Sequence, residues 1–131
     1  MNIQLTDKES EEYFYNSLCN AVATGYMAGY GLRLDFEDAD YAAAKKTLKD
    51  KGDSPCMEDI WMQILREGKK LTFTDIEGEG ENTRSVTLED VHKKVALTPL
   101  NHLTDMVNEN DDAVTADVIL QTVFFDSIIF G

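Results

Sequence analysis

The sequence predicts an α+β fold, mostly helical, in which five or six helices and one β-hairpin packed on them form a single domain. Three observations predict this fold. The chain has 131 residues, close to the commonest length of one domain. An apolar stripe at helical spacing runs from Met57 to Leu65. Apolar residues also alternate with polar ones on both sides of the acidic stretch "EGEGEN".

The first predicted helix begins after Thr6, where Glu9 stands at the position that completes a capping box. Apolar and small residues then recur at steps of three and four along one helical face. This spacing predicts a helix from Asp7 to about Tyr30.

Three glycines lie near the end of that helix. Gly25 and Gly29 share its apolar face, where the missing Cβ predicts close packing against another backbone. Gly31 is predicted to end the helix in the left-handed conformation. A phosphate-binding loop needs glycines after a strand and before a helix, so these glycines are predicted to be structural.

The middle of the chain predicts two helices followed by the hairpin. "DADYAAAKKTLKD" is typical of a helix, and the next helix is predicted to begin with Ser54 as its cap and Pro55 in its first turn. The hairpin strands are predicted around Phe73 and Val86. Because two strands alone are marginally stable, a third strand is predicted from "LRLDF".

The last third of the chain predicts three more helices. Thr87 with Asp90 predicts a capped helix over Leu88–Val95, and Pro99 begins the next one. The final segment, "ADVILQTVFFDSIIFG", is apolar on nearly every side. Such a helix is buried in its own domain or against a partner, and the β-branched "SIIFG" could instead form a strand.

The net charge is −13, from 25 acidic and 12 basic residues. No Lys or Arg follows Lys94, whereas six acids do. A negative field of this size repels nucleic acid and anionic membranes, and attracts basic partners or cations. We therefore expect no direct nucleic-acid binding and no membrane binding. The surplus acids either keep the protein soluble or form a surface for a basic protein partner.

The candidate partner-binding residues are three acids of the hairpin turn and five of the six acids that follow Lys94. They are Glu77, Glu79, Glu81, Asp105, Glu109, Asp111, Asp112 and Asp117.

His102 and Asp105 stand at i and i+3 of a predicted helix, so their side chains project to the same side and could share a metal ion with His92. A solvated ion pair on the helix surface explains the same spacing. No serine lies in a nucleophile elbow, and neither cysteine has a histidine nearby in the sequence. We therefore predict no catalytic residues and no cofactor, and favour a non-enzymatic role.

The two cysteines, Cys19 and Cys56, lack CxxC spacing and are predicted to be buried free thiols in a reducing compartment. The first residues have neither the basic start nor the apolar core of a signal peptide, which favours a cytoplasmic location. The longest apolar run is interrupted by polar residues and is too short to span a bilayer.

Three segments, "TGYMAGYGL", "SPCMEDIWMQILREGKKLTFTD" and "TADVILQTVFFDSIIFG", together resemble a group of small acidic proteins of phages, prophages and related mobile elements. The resemblance covers most of the chain and implies no particular activity. It favours an accessory role, and the net charge of −13 favours a non-enzymatic protein that binds a basic partner, with nucleic-acid charge mimicry as the narrower form. The alternatives are a homo-oligomeric assembly protein that uses the apolar terminal helix, and a divalent-metal hydrolase.

Overall fold

Six α-helices and a three-stranded antiparallel sheet make up the part of the chain that the computed structural model describes, residues 4–109 and 112–131. The helices are α1 (Asp7–Ser17), α2 (Asp38–Asp50), α3 (Met57–Arg66), α4 (Leu88–Lys94), α5 (Leu100–Val107) and α6 (Ala113–Phe125). The strands are β1 (Leu32–Asp35), β2 (Leu71–Asp75) and β3 (Arg84–Val86), in the spatial order β1-β2-β3. The α+β prediction, the hairpin and the third strand from "LRLDF" are confirmed.

The centre of the molecule is α6, which packs against α1, α4, α5 and β3. Every residue from Thr115 to Phe124 is buried, so the apolar terminal helix lies within its own domain. Phe124 joins the two sides of the core. Its ring lies 4.1 Å from that of Phe73 on β2 and 6.1 Å from that of Phe14 on α1, measured between ring centroids.

The first helix is shorter than its apolar periodicity predicts. The α-helix itself ends at Ser17. One π-helical turn follows directly over Leu18–Val22, and a separate 3-10 helix covers Met27–Tyr30. The break lies at Gly25, whose φ of +84° is left-handed and incompatible with continuing the helix.

The predicted close packing at Gly25 and Gly29 is wrong, because a Cβ added at either position meets nothing within 4 Å. The prediction for Gly31 is confirmed in its conformation: with φ at +77°, it ends the 3-10 helix. A Cβ at Gly31 would also lie 2.6 Å from Cγ of Glu77, so the hairpin loop approaches this glycine closely.

Two other predicted boundaries differ from those observed. Helix α3 begins at Met57 with Cys56 as its N-cap, two residues after the predicted Ser54, because Asp59 accepts a hydrogen bond from the Cys56 backbone N–H at 3.1 Å. The segment "SIIFG" is not a strand. Its backbone polar groups at Ile129 and Phe130 bind a side chain of α6 instead.

That side chain is the amide of Gln121, which is fully buried. Its Oε1 accepts hydrogen bonds from the backbone N–H groups of Ile129 and Phe130 at 2.7 and 2.9 Å. Its Nε2 donates to Oδ1 of Asp117 at 2.7 Å and to the Phe130 carbonyl at 3.2 Å. Tyr30 donates to the other oxygen of Asp117 at 2.8 Å and stacks on the Phe130 ring.

Within the described residues, none of the helices combines the length and the apolar composition that crossing a lipid bilayer requires.

Gln121→Met should lower the free energy of unfolding by about 2–4 kcal/mol, because the buried Asp117 carboxylate loses one of its two hydrogen bonds and the backbone after α6 loses its side-chain partner. Urea denaturation measures this loss. The matched control is Gln63→Met, which removes a single hydrogen bond to Glu67 and should change stability by less than about 1 kcal/mol. Equal losses in the two variants would contradict the role of Gln121.

Candidate functional site

The hairpin loop between β2 and β3 is organised by one buried residue, Asp75, which is 3% exposed. Its carboxylate accepts hydrogen bonds from the backbone N–H groups of Gly78 at 2.7 Å and Asn82 at 3.1 Å. Its carbonyl accepts from Gly80 N–H at 2.8 Å, and its own N–H donates to the Thr83 hydroxyl at 3.0 Å. These four hydrogen bonds of Asp75 therefore fix the backbone of the loop.

Gly78 is required by this arrangement for a steric reason. A Cβ built at this position would collide with the Asp75 carboxylate, which occupies the space beside the Gly78 backbone. The Asp75 carboxylate can therefore accept the hydrogen bond from Gly78 N–H only because Gly78 has no side chain.

Three of the predicted partner-binding acids, Glu77, Glu79 and Glu81, are exposed on this loop. None of the ion pairs found between described residues involves them. The nearest basic side chain in sequence is Arg84, and its guanidinium donates to the carbonyls of Glu81 and Thr83 rather than to a carboxylate. The loop therefore presents three acids on a backbone that does not depend on them.

A second acidic surface lies where α5 leads into α6. Asp105, Glu109 and Asp112 are exposed there, while Asp111 lies outside the described residues. Asp112 has a structural task as well, because it caps α6 by accepting a hydrogen bond from Thr115 N–H at 3.0 Å. Among the described residues, this surface therefore offers fewer carboxylates without a structural hydrogen bond than the hairpin loop does.

The prediction for Asp117 is wrong, because this residue is 5% exposed and lies inside the domain. Its two oxygens accept hydrogen bonds from Tyr30 and Gln121. Its charge was the basis of the prediction. The signal that could have corrected the assignment was its i, i+4 spacing to Gln121 inside a helix that is otherwise almost entirely apolar.

The two histidines belong to different environments. His92 on α4 is hydrogen-bonded to Oε2 of Glu11 on α1 through Nε2, at 2.9 Å. Nδ1 of His102 is buried without a hydrogen-bond partner among the described residues, and Asp105 is exposed. No three His, Cys, Asp or Glu side chains in the described ranges are grouped so that they could hold a metal ion. His92, His102 and Asp105 are therefore not brought together as a ligand set.

A cluster that the sequence analysis missed surrounds Tyr15. The Tyr15 hydroxyl donates to Oδ1 of Asp59 at 2.8 Å and lies 3.7 Å from Sγ of Cys56. Tyr15 and Asp59 are 44 positions apart, so no local pattern could have joined them. They border a cleft of about 460 Å³, which is lined by Tyr15, Leu48, Asp53, Ser54, Pro55, Asp59, Met62 and Arg66.

Glu11 connects α1 to both α3 and α4. Its carboxylate accepts hydrogen bonds from Arg66 at 2.9 Å and from His92 at 2.9 Å. Partial burial raises the pKa of Glu11, but the hydrogen bonds and charges of His92 and Arg66 outweigh this effect and hold its pKa below the usual value. A carboxylate with a lowered folded-state pKa contributes stability above the unfolded-state pKa, and this contribution is lost as the pH falls through the folded-state pKa.

Glu11→Gln should therefore reduce the free energy of unfolding by about 1 kcal/mol at pH 7, and the difference from the wild type should vanish between about pH 5 and pH 3. Chemical denaturation across this pH range measures it. The control is Glu12→Gln at the exposed neighbouring position, where the free energy should change little. A difference for Glu11→Gln that persists at pH 3 would contradict the ionic origin of the effect.

Gly78→Ala should destabilise the protein by about 1–3 kcal/mol, because the new methyl group displaces the Asp75 carboxylate from the loop. Thermal and urea unfolding measure the loss. Gly29→Ala is the matched control, since its Cβ meets nothing within 4 Å and its φ lies outside the left-handed region. That variant should stay within about 0.5 kcal/mol of the wild type. If both variants unfolded alike, the steric account of the loop would fail.

The chain matches no known protein family, no curated protein and no solved structure. The resemblance to phage and prophage proteins stays a prediction.

Proposed function

We propose that this protein is a small acidic, non-enzymatic binding protein that engages a basic protein partner through its hairpin loop. The observation that carries the proposal is the loop itself, whose exposed Glu77, Glu79 and Glu81 stand on a backbone held by Asp75. A loop held by its own structure loses little conformational freedom on binding, so more of the contact energy becomes affinity.

The placement of the basic residues supports the same proposal. Lys94 lies near both Asp90 and Asp126, and Lys93 pairs with Glu89, so these bases neutralise acids around α4. The loop carboxylates form none of the ion pairs found between described residues, although the Arg84 guanidinium lies on the loop backbone. A basic partner would therefore meet three acids with one neighbouring cation at the hairpin, a net negative field that speeds association and selects against acidic proteins.

Nucleic-acid charge mimicry is the narrower form of the proposal. In that form the loop carboxylates and the exposed Asp105 and Glu109 occupy positions that a partner uses for phosphate groups. A mobile-element accessory role is part of the proposal on the strength of the sequence resemblance alone.

The alternative of a homo-oligomer has less support. The surface assigned to it was α6, and the residues of this helix from Thr115 to Phe124 are buried inside the domain. Exposed apolar side chains lie in the first turn of α6, at Val114, and after the helix, at Ile128 and Ile129. Leu97 at 69% and Leu100 at 48% exposure add two more, before and at the start of α5. An assembly role would have to use those side chains.

The test compares two triple variants that remove the same charge from different places. Glu77→Gln/Glu79→Gln/Glu81→Gln neutralises the loop, and Glu12→Gln/Glu37→Gln/Glu89→Gln neutralises three exposed acids elsewhere. The probe is a fluorescein-labelled peptide of lysines only, followed by anisotropy at several salt concentrations. The loop variant should bind about tenfold more weakly and respond less to salt. The control variant should lose less than about threefold.

Equal losses in the two variants would show that only net charge attracts the peptide, and would overturn the assignment to the loop. The second arm is capture from a cell lysate on immobilised protein, with mass spectrometry of what salt elutes. Recovery of one basic protein by the wild type and the control variant, but not by the loop variant, supports the proposal. Capture that is insensitive to both salt and the loop substitutions would contradict it.

A further inference from the structure

The two cysteines are less buried than the sequence predicts. Cys56 is exposed at the N-cap of α3, and Cys19 is partly exposed on the π-helical turn that follows α1. The structure contains both as free thiols.

Tyr15 brings the two thiols into one neighbourhood. Cys19 stands four positions later, on the π turn, and its thiol interacts with Tyr15 through a hydrogen bond. The Tyr15 hydroxyl lies 3.7 Å from Sγ of Cys56. The thiols, which are 37 positions apart in the sequence, therefore approach the same phenol ring from two different elements.

We propose that Cys19 and Cys56 form a reversible intramolecular disulfide when the protein meets a small disulfide oxidant such as oxidised glutathione. A disulfide needs Cα atoms about 4.4–6.8 Å apart. Cys19 lies on a single π turn and Cys56 is the N-cap of α3, so the bond would join the end of one helical segment to the beginning of another.

The reaction takes place in two exchange steps. The exposed Cys56 thiolate attacks one sulfur of oxidised glutathione, which forms a mixed disulfide and releases one glutathione thiolate. The Cys19 thiolate then attacks the Cys56 sulfur and releases the second glutathione. The two protein thiols lose two electrons and two protons in all, and the two glutathione molecules gain them.

The surrounding charges determine when this reaction takes place. Burial, followed by the charge of Glu58, raises the pKa of Cys19, and burial and a hydrogen bond with Glu58 raise the pKa of Cys56. The other titratable groups that face the thiols are Tyr15 on α1 and Asp59 on α3. Because the thiolate is the reactive form, oxidation should be slow near pH 7 and accelerate about tenfold for each unit of rising pH below the thiol pKa values.

Closing the bond would change the neighbouring cleft. The Tyr15 hydroxyl lies against the Cys56 sulfur and donates to Asp59, and both Tyr15 and Asp59 line the cleft. A disulfide would fasten the π turn to the start of α3 and displace the phenol from its contact with Cys56. The shape of the cleft would therefore depend on whether the two thiols are oxidised.

The experiment treats the folded protein and the urea-unfolded protein with oxidised glutathione at pH 8, and follows the intact mass. The folded protein should lose the mass of two hydrogen atoms, and a non-reducing peptide map should contain a Cys19–Cys56 crosslink. Ring closure should be at least about tenfold faster in the folded protein, because folding holds the thiols together. Dithiothreitol should restore the original mass.

Two variants identify the order of the steps. Cys19→Ser should stop at a mixed disulfide on Cys56, whereas Cys56→Ser should react more slowly and form no crosslink. Three results would overturn the proposal: glutathione on both cysteines of the folded wild type without a crosslink, a crosslink that forms no faster than in urea, or crosslinks only between molecules.

Discussion

The buried pair of Asp117 and Gln121 is the constraint on which the arrangement around α6 depends. A carboxylate and an amide enclosed in an apolar core would cost several kcal/mol without hydrogen-bond partners. They find these partners in Tyr30 and in the backbone of Ile129 and Phe130. The position of the 3-10 segment and the path of the chain after α6 therefore follow from satisfying two polar side chains on the most apolar helix of the described chain.

A buried polar side chain also binds loop backbone in the hairpin, where the Asp75 carboxylate accepts hydrogen bonds from the N–H groups of Gly78 and Asn82. In both places a side chain replaces the regular hydrogen bonding that a loop lacks, and the loop becomes a defined surface. The consequence differs between the two places. Around α6 the Asp117 and Gln121 side chains are buried and stabilise the core. In the hairpin, the hydrogen bonds of Asp75 hold a loop whose Glu77, Glu79 and Glu81 side chains are exposed.

Two of the sequence-based alternatives gain no support from the described residues. The histidines do not converge with acids on a metal site within the described residues, and the apolar terminal helix is covered by its own domain. The two proposals rest on separate features of the surface. The proposed basic partner would bind the charge at the hairpin loop, and the proposed disulfide would form from the two thiols around Tyr15.

The sequence by itself determined the mostly helical α+β class, the caps at Thr6 and Thr87, and the left-handed conformation of Gly31, because each depends on interactions within a few residues. It also determined that α6 is covered, but whether its own domain or a partner covers it stayed open. Only the tertiary structure decided that Asp117 is buried and that Cys56 lies beside Tyr15. Burial of a charged group and contact between distant residues depend on how elements pack together, and local patterns contain no information about that packing.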